Sequence, residues 1–351
     1  MKTGVILLNF GEPETASLEE VVPFLERIFT TNAPLMGAPA TPEQVRERSR
    51  RMAEARAPGL IAEYEEIGGS PLHAQARAQA ELLEAELRRR GHDAVVLLGM
   101  QFTEPSIAEA ARAAREAGVE VLVGVPVYPL CGPSTTVAAL AELEREVRAL
   151  GWDVPVREVT GWQRHPEYIR ARADAIRGVL ARDGLALEGG TKLVFSAHGT
   201  PIKYLREGSR YDVYVRDFCD LVAAELGGVE YALGFQNHTS RPGVEWTQPE
   251  IAHVIETIEA ERVVVDACSF MHEQSETLAE LDGELREEAE ARGLGFHRVP
   301  IPFDAPGFIG VLADLVEALT AERTVICGIP LAQCRCRPVK GTLCLNAVAI
   351  A

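Results

Sequence analysis

Two short clusters carry the residue types that could do chemistry. The first is Phe195-Ser196-Ala197-His198-Gly199-Thr200-Pro201, delivered by the extended Thr191-Lys192-Leu193-Val194, in which only Lys192 interrupts the apolar-rich character. This order puts an imidazole at the carboxyl end of a buried parallel strand, where open α/β sheets hold their ligands. Alone, such a histidine reads as a loop residue bonded to a carbonyl. The second cluster, Met271-His272-Glu273-Gln274-Ser275-Glu276-Thr277-Leu278, also follows an apolar run, Val263-Val264-Val265. Two strand ends, each bearing a titratable group, can face each other across one cleft.

The segment Ser275 to Arg292 reads as a helix, and on it Glu276, Glu280 and Glu284 recur every four residues. At helical spacing these carboxylates share one face about 6 Å apart, where like charges repel by a few tenths of a kcal/mol per pair. Asp282, Glu287, Glu288 and Glu290 make the whole helix acidic, so a solvated face is one reading. The other is a row of hard oxygen ligands leading a divalent cation inward to Glu276. The second reading requires His198 and Glu276 to converge.

Seven cysteines is an odd count, and four of them (Cys327, Cys334, Cys336 and Cys344) fall in the last 25 residues. That pattern points to a metal site rather than a disulfide framework. Soft thiolates close in sequence favour zinc or an iron-sulfur cluster, the other reading being free thiols in a reducing cytoplasm.

The elements that must position these groups follow from length and pattern. At 351 residues, 47% hydrophobic and 25% charged, the chain suits a globular protein of two domains. Its formal charge of -17 argues against a nucleic-acid surface. No apolar run approaches the ~18 residues of a membrane span. Met1-Lys2-Thr3-Gly4 runs straight into a strand with no cleavable signal, so a cytoplasmic location is expected.

Val5 to Phe10 reads as a buried strand closed by Gly11-Glu12-Pro13, without the glycine pattern of a dinucleotide site. Two helices follow, from Ser17 to about Thr30 and from Thr41 past Met52. The segment between them carries Phe29, Leu35 and Met36 next to a basic helix, which read either as ordinary packed residues or as a lid over an apolar ligand or a contact with a membrane surface. Strands at Ala94–Leu98 and Val119–Val127 around the helix Ser106–Ala117 imply a parallel sheet. Tyr128 and Cys131 then lie on a cleft rim, and Ser134-Thr135-Thr136 caps the helix Val137–Leu150. A boundary near residue 155 separates residues 1–155 from a second β-α-β layer over 156–306. The last helix, Gly307 to Thr320, and the cysteine tail (307–351) fold back onto the first domain. No low-complexity linker separates the halves, so the cleft between them is fixed.

Taken together and in order, Leu7-Leu8-Asn9-Phe10-Gly11-Glu12-Pro13, Ile67-Gly68-Gly69-Ser70-Pro71-Leu72, Tyr128-Pro129 with Ser134-Thr135-Thr136, Ser196 to Pro201, Gln236 with Trp246 and Pro249, and Glu276-Thr277-Leu278 with Glu280 and Asp282 resemble the ferrochelatases, enzymes that insert ferrous iron into a porphyrin. The resemblance runs nearly end to end. It implies two Rossmann-like α/β domains, each a parallel sheet flanked by helices, with a porphyrin cleft between them. It also implies that His198 and Glu276 are the catalytic pair and contact the iron, with Glu280 and Glu284 along the metal path. Insertion requires both pyrrole protons to leave, and a neutral imidazole is a fitting base. The family is held to bend the macrocycle, a strain supplied by remote contacts. Phe10, Phe29, Ser70, Tyr128, Ser134, Thr136 and Trp246 would line the pocket.

Departures from the family concern the macrocycle. Coproporphyrin-type enzymes commonly carry a tyrosine at the place of Phe10 and an arginine pair near Phe29-Thr30 that grips extra propionates, and both are absent. An apolar Phe29 suits vinyl-bearing protoporphyrin, although Arg241 in the long loop between Gln236 and Trp246 offers a cation. Some family members hold a [2Fe-2S] cluster on one internal cysteine and three near the C-terminus, which Cys131, Cys334, Cys336 and Cys344 resemble. Expected partners are the porphyrin, Fe2+, and a membrane surface or neighbouring haem-pathway enzymes. Two other classes fit the same architecture: a cobalt or nickel chelatase of another tetrapyrrole, and a non-catalytic haem or porphyrin carrier.

Overall fold

The computed structural model of the chain describes residues 1–33, 41–237 and 244–348. Leu35, Met36 and Arg241 lie outside the described residues. The chain opens with β1 (Thr3–Asn9), apolar and buried along its whole length, as a strand covered on both faces must be. α1 (Leu18–Thr31) and α2 (Pro42–Glu66) pair with each other, and α2 starts on a Thr41/Gln44 capping box. α3 (Leu72–Arg89), β2 (Ala94–Met100), α4 (Ile107–Glu116) and β3 (Val121–Pro126) continue the β-α-β order. A π turn over Pro133–Val137 precedes α5 (Ala138–Ala149) and β4 (Val156–Val159).

The second set comprises α6 (Pro166–Asp183), β5 (Thr191–His198), α7 (Ile202–Arg206), α8 (Tyr211–Glu225), β6 (Tyr231–Gln236), α9 (Ile251–Thr257) and β7 (Arg262–Ala267). It ends with α10 (Ser275–Thr277), a π-helical stretch Leu278–Leu285, α11 (Arg286–Ala291) and β8 (Gly295–Val299). α12 (Pro306–Thr320) leads into four short strands: β9 (Val325–Ile326), β10 (Ile329–Pro330), β11 (Ala332–Gln333) and β12 (Thr342–Cys344).

β9 and β10 pair antiparallel as a separate two-stranded ribbon, and the other strands form two parallel sheets flanked by helices. The first runs β11-β12-β4-β3-β1-β2, with only the β11–β12 pair antiparallel, and the second runs β6-β5-β7-β8. β4 and the cysteine-bearing β12 both belong to the first sheet, so the chain passes between sheets after Val159 rather than at residue 155. α9 packs so close to β6 that a Cβ on Gly234 would stand 2.7 Å from Ile251 Cα, so only glycine fits there.

A single apolar cluster passes through both sheets. It joins Val5, Leu7 and Val125 of the first to Leu193, Phe195 and Val264 of the second, with Phe308, Leu312 and Leu315 of α12 in the same cluster. Trp162 stacks on Phe308 at 5.8 Å and Tyr168 on Phe218 at 5.2 Å within it. Among the described residues, no helix is long and apolar enough to cross a membrane.

Two local readings need correction. The acidic segment is not one α-helix, because its middle is π-helical. A bond from the neighbouring strand end accompanies it: Gln236 Nε2 donates to the Glu276 carbonyl at 2.7 Å and so competes with the helical ladder where it widens. Ser134, Thr135 and Thr136 do not cap α5. Gly132 holds the N-cap of the π turn with no side-chain bond, and the three residues fall inside the turn.

Candidate active site

His198 is the last residue of β5. The parallel register sets Gln236 of β6 beside it, while β7 stops level with Ser196 and turns through Cys268, Ser269 and Phe270. The His198 backbone is held on both sides: its N–H donates to Ser269 Oγ at 2.8 Å, and the Tyr211 hydroxyl donates to its carbonyl at 3.1 Å. On the ring, Nδ1 lies 2.6 Å from the Gly199 carbonyl and so carries a proton, leaving Nε2 to face Glu276 Oε1 at 3.3 Å. The turn bearing Ser269 is fixed from below by Arg172 of α6. Its buried guanidinium lies 2.5 Å from Asp266 and donates to the carbonyls of Ala267 and Phe270.

Glu276 stands in α10 with both carboxylate oxygens engaged. Gln274 Nε2 donates to Oε2 at 2.7 Å, and Asn237 Nδ2 donates to Oε1 while lying 3.3 Å from His198 Nε2. Asn237 takes φ 58°, a left-handed conformation that asparagine tolerates better than most residues. Gln236 is oriented by Ser196, whose hydroxyl donates to Gln236 Oε1 at 2.7 Å, so its amide nitrogen points at the Glu276 carbonyl and at Glu280 Oε2, 3.1 Å away. Glu12, 3% exposed, ties this region to the first sheet by accepting from the hydroxyls of Ser70 and Ser275, each at 2.5 Å.

The electrostatics follow from these contacts. Burial opposes a charge on His198, but Glu276, the Gly199 carbonyl and Glu280 together raise its pKa to about 9. Burial likewise opposes charge on Glu276, yet His198, Gln274 and Asn237 hold it below the usual carboxylate range. Glu280 is pushed up to about 8 by burial and by the charge of Glu276. Glu284, at the outer end of the row, is raised by desolvation and by Glu63 of α2. The resting pair at neutral pH is therefore imidazolium and carboxylate, not the neutral imidazole expected from the residue type.

The residues expected to line a porphyrin pocket sit on several separate elements. Phe10, just past β1, tilts against Phe102 at 4.6 Å and meets the edge of Phe24 at 6.1 Å. Phe29 is buried in the α1–α2 core, 7% exposed. Tyr128 donates to Gln101 Oε1 at 3.4 Å, and burial and the Glu276 charge both raise its phenol, which puts the two residues in one electrostatic neighbourhood. Ser134 accepts through its carbonyl from Gln101 at 3.3 Å, and the buried Thr136 hydroxyl makes no hydrogen bond. Trp246 bridges Pro201, beside the His198 loop. The roles of Asn237, Gln274, Ser269, Tyr211 and Arg172 went unread in the sequence. Only Asn237 left a signal, as a turn-prone residue directly after a strand.

The cysteines form a second centre. The Sγ atoms of Cys131, Cys334 and Cys336 all lie within 4.8 Å of one another, and Cys344 packs against Cys334 and Cys336. Hydrogen bonds from Cys131, Cys336 and Cys344 favour the thiolate of Cys334. The N–H groups of Arg337 and Asn346 donate to Cys334 Sγ at 3.4 Å and Cys344 Sγ at 3.2 Å. Cys327 stands apart, 3.9 Å from His165 Nε2 and near Asp314. There His165 Nδ1 accepts the Glu167 N–H at 3.3 Å, so its proton sits on Nε2 toward Asp314, the wrong tautomer for a metal ligand at that nitrogen.

The ferrochelatase family model matches residues 2–319. The ferrochelatase of Aquifex aeolicus (strain VF5) is 34% identical over 324 residues, covering 90% of this chain and 99% of the relative. That of Geotalea uraniireducens (strain Rf4) is 33% identical over 322 residues, covering 90% and 97%. Among solved structures, SirB from Bacillus subtilis with Fe3+ shares the fold, with a TM-score of 0.51 at 10% identity over 92% of this chain and 97% of that one. The chain belongs to the ferrochelatase family, lyases that insert a metal into a porphyrin.

Proposed function

We propose that the site inserts ferrous iron into protoporphyrin IX, with His198 taking up pyrrole protons and Glu276 receiving the metal. The observation that carries this reading is the 3.3 Å approach of His198 Nε2 to Glu276 Oε1. In the resting pair, Glu276 holds a proton on His198. Ferrous iron arriving at Glu276 cancels that attraction and repels the imidazolium, so the partly exposed ring releases its proton to solvent and becomes a base that can take up a pyrrole proton as the metal arrives. Glu280 and Glu284 lead the cation inward, and Glu280, neutral at rest, ionises as the positive charge approaches. Phe10, partly buried against the core residues Phe24 and Phe102, offers an apolar ring suited to a vinyl-bearing edge.

The test is anaerobic insertion of ferrous iron into protoporphyrin IX and coproporphyrin III side by side. Faster turnover of protoporphyrin IX, lost in His198→Ala, supports the reading. Preference for coproporphyrin III overturns the macrocycle, and normal rates in both His198→Ala and Glu276→Gln overturn the site.

The cysteine centre fits a [2Fe-2S] cluster held by Cys131, Cys334, Cys336 and Cys344. The donor set is all sulfur, and two backbone N–H groups already point at sulfurs, as cluster thiolates require. Such a group supplies one-electron chemistry and joins the C-terminal tail to the loop after β3. Purified protein with no absorption between about 400 and 550 nm and no acid-labile sulfide would rule it out.

A further inference from the structure

The first turn of α8 touches both centres. Tyr211 donates to the His198 carbonyl at 3.1 Å, while the Tyr214 hydroxyl lies 3.3 Å from Cys336 Sγ. The two tyrosines are 8% and 3% exposed, and their spacing places them on neighbouring points of one helical turn. Tyr211 also lies over the residue after Cys131: a Cβ on Gly132 would stand 3.8 Å from Tyr211 Cδ2. One rigid turn thus meets a sulfur of the cysteine group, the residue next to another of its cysteines, and the backbone of the active-site histidine.

We propose that this turn is a mechanical link through which filling of the cysteine centre positions His198, with Tyr214 and Tyr211 as positioning residues. The link rests on the cysteine reading above. Cysteines that hold a metal or cluster are thiolates, and a hydroxyl donating to a thiolate makes a charge-assisted bond, stronger than one shared with a neutral thiol. Filling the centre therefore anchors Tyr214. A helical turn does not let Tyr211 move independently of Tyr214, so the bond to the His198 carbonyl is anchored with it. The opposite side of His198 is already fixed by Ser269 Oγ at 2.8 Å. Freeing the carbonyl leaves the residue to pivot about Ser269, which changes the 3.3 Å approach to Glu276. Misplacement of a reacting group by about 1 Å can cost ~10²-fold in rate, so a partial shift is enough to be read.

The test compares wild type, Tyr214→Phe, Tyr211→Phe, the double variant and Cys327→Ser, each purified anaerobically as the full chain. Metal content, visible circular dichroism, kinetics and amide hydrogen exchange are measured on each. Tyr214→Phe should keep its metal, alter the visible band, lower kcat about 5- to 10-fold with the porphyrin KM unchanged, and speed exchange in the peptide from His198 to Pro201. Tyr211→Phe should show the same kcat loss and exchange with an unaltered band, and the double variant should lose no more than either single. Cys327→Ser should match wild type.

Unchanged kcat and exchange in both phenylalanine variants, with metal and band intact, overturns the link and leaves the cysteine reading standing. Additive losses in the double variant overturn the shared route. Wild type with neither bound iron nor zinc overturns the cysteine reading and the link together. A Cys327→Ser variant that behaves as Tyr214→Phe also overturns the link, because the effect would then be unspecific.

Discussion

His198 Nε2 and Glu276 Oε1 lie 3.3 Å apart although one residue ends β5 and the other sits in the short α10 that follows β7. The contact is set by the parallel β5–β6 and β5–β7 registers together with the Asn237 and Gln274 amides. Replacing either partner should therefore remove chemistry rather than binding. His198→Ala and Glu276→Gln should each lower kcat for iron insertion by ~10²- to 10⁴-fold, with porphyrin affinity, measured by fluorescence quenching, close to wild type.

The pair also dictates a pH dependence. His198 is raised from 6.5 to about 9, so the folded state binds its proton more tightly than the unfolded chain. The stabilisation is fully present below pH 6.5 and is lost as pH rises through about 9. Glu280, raised from 4.5 to about 8, works in the same direction, its contribution falling away over that interval. Thermal melts of wild type should decline from pH 6.5 to 9, and the margin over Glu276→Gln should shrink across that range. Metal uptake displaces the His198 proton, so insertion at subsaturating metal should accelerate with pH up to the same limit.

Glu280 and Glu284 act on the metal before it reaches the pair. Glu280→Gln should raise the KM for metal several-fold and leave the porphyrin KM unchanged, with a smaller change in Glu284→Gln, whose side chain is exposed. Glu280→Gln should also melt higher than wild type above pH 8, since it removes a carboxyl that burial keeps protonated to about that pH. A matching rise in both KM values would count against a metal-specific role.

Much of this site was legible in the sequence because it hangs on strand ends. The apolar runs before His198 and Glu276 are local signals, and a parallel sheet brings its strand ends to one side. The wide turn over Leu278–Leu285 was not legible, because it answers to Gln236, 40 residues away in sequence from Glu276 and oriented in turn by Ser196. Asn237 was visible as a turn residue but not as a bridge between imidazole and carboxylate, a role that exists only once β6 lies beside β5. The neutral imidazole expected from residue type gave way to the field of a neighbour outside its own segment. β4 was assigned to the wrong side of the boundary because four short residues carry no mark of which sheet they will join.

Arg172 and Asp266 make a stability prediction separate from the chemistry. Both side chains have no exposure, and the arginine also holds the two carbonyls that shape the turn carrying Ser269. Arg172→Ala should cost about 3–5 kcal/mol in chemical denaturation, because it strands a buried carboxylate. Asp266→Asn with Arg172→Met should recover most of that loss if the stranded charge is its origin.

The shared apolar core that threads both sheets through α12 ties their stabilities together. Phe308 and Leu312 lie in one buried cluster with residues of both sheets, so a cavity opened in that helix would loosen the two halves at once rather than one at a time.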